Sequence, residues 1–157
     1  MNTKYKDLIE QTFEFPQEEF ETRDNHLLFH GIDLMALIKR LGNEIGAKQR
    51  YFTRNEKSAQ ALPPEWSKLQ ANERKLHVAY QHNLRLYCIR LSDEVVILFN
   101  GGVKTPGRIT AQECKVVRQY FYMANKLCQT IDQALRNKEI KLNGLKLEIP
   151  TDFELIL

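Results

Sequence analysis

Four cationic or imidazole side chains are spaced so that strand pairing would gather them at one edge of a sheet. They are His82, Arg85, Lys104 and Arg108, with Asn100 and the pair Gly101-Gly102 between them. Glycines let the backbone pass closely. A set of this kind can bind a phosphodiester and stabilise the charge that grows on it when a ribose 2′-hydroxyl attacks. Residue types alone leave a second reading open, a solvated sheet end with ordinary turn chemistry. Arg50 and Arg54, in a polar and basic stretch over 43–62, extend the set as RNA-binding candidates.

Other chemistries find little support in the spacing. Gly101-Gly102-Val103-Lys104-Thr105 has the Lys-Thr of a phosphate-binding loop, but Val103 stands where a glycine should precede the lysine. His26 and His30, placed on a strand, would lie about 13 Å apart on one face, too far to share a metal. No metal site and no cofactor are expected. The cysteines Cys88, Cys114 and Cys128 are odd in number and contain no Cys-x-x-Cys, so neither a disulfide framework nor a zinc ribbon is readable. A reducing, cytoplasmic compartment is expected.

The elements that must position these groups belong to a chain of 157 residues, 43% hydrophobic and 27% charged, with a mean hydropathy of -0.47. That profile predicts one domain over 1–157: an acidic N-terminal extension to about 25, a core over about 26–137, and a C-terminal hairpin over 139–157. No apolar run approaches the roughly 18 residues that span a bilayer, and MNTKYKDLIEQ lacks the apolar stretch of a signal peptide. The net charge of +3 is sorted along the chain, with -5 over 1–34, +7 over 35–90, +4 over 91–146 and -3 over 147–157. Clustered positive charge suggests a polyanionic partner, most often nucleic acid. The acidic segment 7–24 is expected to lie away from a basic face formed by 39–57 and 104–118.

The run HLLFH (26–30) reads as a short strand stopped by Gly31. A helix follows over 33–41, with Asp33 as N-cap and Gly42 at its end. Residues 55–62 carry a short helical signal, and Pro64 fits the first turn of a further helix over 64–76. LRLYCIRL (84–91) and EVVILFN (94–100) are rich in β-branched and aromatic residues and predict a central hairpin turning at Ser92-Asp93. Its expected register sets Leu91 against Glu94, Cys88 against Ile97, Leu86 against Phe99 and Arg85 against Asn100. Both faces are apolar apart from the end carrying Arg85. Thr110-Ala111-Gln112-Glu113 has a capping-box pattern before a long helix over about 111–137, and Asn143-Gly144 predicts a second hairpin.

The run from Leu84 to Leu91, the tight turn, and Val95-Val96-Ile97-Leu98-Phe99-Asn100-Gly101-Gly102-Val103-Lys104-Thr105 resemble the core hairpin of the RelE/ParE toxin superfamily, particularly its HigB-like branch. The resemblance covers about 84–105. It implies an α+β fold: a RelE-like antiparallel sheet with a helical hairpin on one side, here with the long helix and the C-terminal hairpin added. It further implies the toxin component of a type II toxin-antitoxin pair, a metal-independent endoribonuclease that cuts ribosome-bound mRNA and is silenced by a cognate helix-turn-helix antitoxin. Arg85 matches the strand arginine that stabilises the phosphate, and Lys104 the basic residue after the next strand. The family's catalytic histidine or tyrosine has no matching position in this stretch, and His82 and Tyr87 are the candidates for that role. A binding protein on the same fold remains the alternative, either a ParE-like topoisomerase inhibitor or a nucleic-acid or protein adaptor. HGIDLMALIKRLG also resembles a segment near the start of some PLP-dependent amino-acid decarboxylases, whose barrel is far longer than this chain.

Overall fold

The structure is a computed structural model and describes residues 24–65, 67, 83–105, 107 and 110–157. The predicted helix over 64–76, the acidic segment 7–23, His82 and Arg108 lie outside the described residues, apart from 64, 65 and 67.

Helix α1 runs unbroken from Asp24 to Arg40. HLLFH is therefore helical, and positions 26 and 30 stand one helical turn apart rather than along a strand. A five-residue apolar run has no length to separate strand from helix, and Gly31 is tolerated inside a helix whose buried stripe of Leu34, Leu37 and Leu41 keeps the period. A π-helical turn over Leu41–Ile45 extends it, and the chain leaves at Gly46, whose N–H donates to the Leu41 carbonyl. Gly46, with φ at 84°, is thus the end residue in place of Gly42.

Strands β1 (Arg54–Glu56) and β2 (Ala59–Leu62) form a hairpin where a helical signal was expected. The period-two pattern is short and polar on one side, so propensity alone does not reveal it. Strands β3 (Leu84–Arg90) and β4 (Val96–Val103) complete an antiparallel four-stranded sheet in the order β1-β2-β3-β4. β3 is interior, and β4 is an edge strand rather than half of a central pair. The β3–β4 register also departs from expectation. The connection is five residues long, held by the Ser92 hydroxyl, which accepts the N–H groups of Glu94 and Val95. A bulge on β4 then adds a second slip, so that Cys88 pairs with Leu98, Leu86 with Gly101 and Arg85 with Gly102.

Helix α2 spans Arg118–Arg136. The predicted capping box exists, with the Glu113 carboxylate accepting from the Thr110 N–H and hydroxyl. It closes a separate turn ahead of the helix, which therefore starts seven residues later than the pattern suggests. Strands β5 (Lys141–Asn143) and β6 (Lys146–Glu148) form the C-terminal hairpin around Gly144-Leu145.

Alternation along β3 divides the core. Leu84, Leu86 and Cys88 join Leu34, Leu37 and Phe52 on the α1 side. Tyr87 and Ile89 join Ala61, Val117, Phe121 and Cys128 on the α2 side. The arrangement is α+β, three layers deep over the described residues: helix, antiparallel sheet, helix.

Candidate functional site

The α2 side of the sheet carries a row of charge at the end where β3 begins. Partners across antiparallel strands share a face, so Arg54, Ala61 and Tyr87 stand in one line across β1, β2 and β3. Arg85 lies two residues before Tyr87 on the same face, opposite Gly102. A side chain at Gly102 would meet Tyr120 at 3.3 Å and Val117 at 3.4 Å, so the glycine is what lets the start of α2 lie against β4 here.

Arg85 is 7% exposed, where an open sheet end was expected. The reason is the unforeseen hairpin, since β2 pairs along β3 and sets Arg54 and Pro63 beside it. The Arg85 Nη1 donates to the Leu84 carbonyl at 2.7 Å, and the Arg54 Nε donates to the Pro63 carbonyl at 3.0 Å. Burial, and then the like charge of Arg54, bring the Arg85 guanidinium down to about 10; Glu56, Tyr87 and Glu65 act the other way. Burial also lowers Arg54, against Glu65 and Glu56. At about 10, Arg85 remains a cation at neutral pH.

Glu56 sits among them. Burial raises its carboxyl above the ordinary 4.5, while Arg54, Arg85 and Lys104 pull it down and Glu65 pushes it up. Three cations therefore act electrostatically on one half-buried carboxylate. The Lys104 N–H continues the ladder to the Asn83 carbonyl at 2.7 Å, which fixes where its side chain leaves the sheet. The Glu65 N–H is held by the Thr53 hydroxyl at 3.2 Å. Beneath them the fully buried Tyr87 hydroxyl has no hydrogen-bond partner among the described residues, and burial and Glu56 raise its pKa.

Beside this cluster lies Cys114. Burial alone would raise its thiol. Hydrogen bonds from the Thr105 hydroxyl and N–H, both at 3.4 Å, and from the N–H groups of Val117 and Val116 more than reverse that, bringing it down to about 7. Cys88 and Cys128 are pushed up to about 12, chiefly by burial.

The sequence-derived candidates thus divide. Arg85, Lys104 and Arg54 are brought together. Asn100 is exposed on β4 and does not face Arg85, because the register slips set Gly102 there. Arg50 stacks over the Tyr51 ring at 5.1 Å, and Tyr51 belongs to the core on the other face. Glu56 and Glu65 were missed; the alternation of Arg54 and Glu56, then Ala59 and Ala61, is the signal that could have found the hairpin and with it Glu56. The α1 side holds a cavity of about 560 Å³, lined by Ile38, Leu41, Phe52, Val96, Leu98 and Leu145, with Lys48, Asp93 and Glu94 among its charged lining. Its apolar walls offer no comparable convergence of charge.

Fold and site define an α+β protein with two arginines and a carboxylate on one sheet face. No family model, curated protein or solved structure matches the chain. Among the described residues, no helix is long and apolar enough to cross a membrane, and no group of His, Cys, Asp and Glu is placed to hold a metal ion.

Proposed function

We propose that this chain is the toxin of a type II toxin-antitoxin pair, a metal-independent endoribonuclease acting on ribosome-bound mRNA in the cytoplasm and silenced by a helix-turn-helix antitoxin. The observation that carries the reading is the placement of Arg54, Glu56 and Arg85 on one face of the sheet, with Arg54, Arg85 and Lys104 all lowering the Glu56 carboxyl electrostatically. Cutting RNA by its own 2′-hydroxyl needs a base for that hydroxyl and positive charge for the phosphorane. Glu56 takes the 2′ proton, the 2′ oxygen attacks phosphorus, and the 5′ oxygen leaves with a proton from Lys104. Arg54 and Lys104, both half-buried, meet the phosphate. Arg85 forms the cationic floor beneath them and strengthens the local field in a medium where charge is poorly screened. The resemblance of 84–105 to the RelE/ParE core hairpin supports the same reading.

The test is induced expression followed by mapping of transcript 5′ ends. New ends within translated messages, together with growth arrest relieved by a co-expressed neighbouring helix-turn-helix gene product, are expected. Growth arrest with DNA breaks and intact messages would overturn the nuclease in favour of topoisomerase inhibition, and harmless expression would overturn the toxin altogether.

A further inference from the structure

The solvent face of α2 takes no part in the charged cluster. The helix buries Phe121, Ala124, Asn125 and Cys128 and exposes Arg118, Tyr122 and Lys126, with Lys115 exposed in the turn before it. No acidic residue occurs between Cys114 and Ile131, so these cations are not neutralised along their own stretch of chain. Arg118, Tyr122 and Lys126 follow at four-residue steps and form one row, advancing about 6 Å per step.

Tyr122 is 54% exposed, yet its ring is held edge-on to Phe121 at 5.4 Å between centroids. The β1–β2 turn flanks the row. Asn125 Oδ1 accepts the N–H groups of Ser58 and Ala59 at 2.7 and 3.1 Å, and its Nδ2 donates to the Phe121 carbonyl at 2.8 Å. Gln129 Nε2 donates to the Ser58 hydroxyl at 3.4 Å. This clamp holds Lys57 at φ 64°, a left-handed conformation that a lysine adopts at a cost, with its ammonium 5.6 Å from the Phe121 ring. Lys57 directly follows Glu56, so the row starts where the charged cluster ends.

We propose that this face binds single-stranded RNA, with one base stacked on Tyr122 and the flanking phosphates against Lys57, Arg118 and Lys126. Substrate identity rests on the nuclease reading; the surface itself is argued from the exposed ring and the cations around it, whose own stretch of chain holds no acid. A fixed, exposed aromatic among lysines and arginines supplies both parts of a single-strand platform, a π-face for any base and charge for the backbone. An acidic protein would use the cations and leave the ring unexplained.

The test is fluorescence anisotropy of the full chain with a labelled single-stranded 2′-O-methyl RNA of about 12 nucleotides, which cannot be cut. Tyr122→Ala should weaken binding about tenfold or more, and Tyr122→Phe should stay within about twofold of wild type, because stacking survives loss of the hydroxyl. Arg118→Ala and Lys126→Ala should each flatten the log K against log salt slope by about 0.7. Unchanged binding by Tyr122→Ala, equal loss in Tyr122→Phe, or displacement of the RNA by polyglutamate at equal charge would overturn the proposal. Undiminished binding by Tyr122→Ala while unmodified RNA is still cut sinks this surface and leaves the nuclease standing. Tenfold weaker binding by that variant, in a chain that cuts no RNA, does the reverse.

Discussion

On the α1 side of β3, Leu84, Leu86 and Cys88 enter an apolar core with Leu34 and Phe52. On the α2 side of the same seven-residue strand, Tyr87 and Ile89 share their face with Arg85, Arg54 and Glu56. The first face follows from hydrophobic burial alone. The second keeps two arginines beside each other in poor contact with water, which burial disfavours unless something else requires it. The difference marks the α2 side as the one where charge is held in place against the cost of burial.

The comparison is broken first by testing whether both apolar parts are core. Phe121→Ala should lose about 3–5 kcal/mol of stability and Leu34→Ala about 2–5 kcal/mol, whereas Leu98→Ala, at 40% exposed, should lose about 1 kcal/mol or less in urea unfolding. Next comes the clamp: Asn125→Ala strands the Ser58 and Ala59 N–H groups and should cost about 1–3 kcal/mol. An unchanged urea midpoint would show that the β1–β2 turn is not held by α2.

The pH dependence sharpens the contrast. If Glu56 is the base, the acid limb of cleavage rate lies above the ordinary glutamate value of 4.5, because burial raises its carboxyl. Glu56→Gln should remove that limb together with the activity; a limb at or below 4.5 would reject Glu56 as the base. The smallest effect is expected at Cys114. Its thiol is lowered in the fold from 9.0 to about 7, so between these values the unfolded chain binds more protons. Stability should therefore gain a contribution as pH rises from 7 towards 9, and lose it as pH falls through 7. Cys114→Ser should remove that increment, and identical pH profiles for wild type and variant would contradict the assignment.

What the sequence made legible follows from local chemistry. Two strongly β-forming runs announced β3 and β4, and Asn143-Gly144 announced the last hairpin. Their register was not legible, because a five-residue connection and a bulge at Phe99-Asn100 each shift pairing without changing composition. The β1–β2 hairpin was hidden for a different reason: Arg54 to Leu62 gains its strand identity by pairing with β3, a long-range contact that no local propensity reports. Glu56 was lost with it, so the cations Arg85 and Lys104 were seen without the carboxylate they act on electrostatically.

The most direct test of the charged face is Arg85→Met. Replacing the guanidinium by an apolar side chain of similar length relieves its burial cost and the repulsion from Arg54 but loses the attraction of Glu56, Tyr87 and Glu65, so the variant should remain folded. In a translating extract, 5′-end mapping should show messages cut by the wild-type chain and cleavage at least tenfold slower with the variant. Cleavage by Arg85→Met at the wild-type rate, or messages left intact by the wild-type chain, would contradict the account.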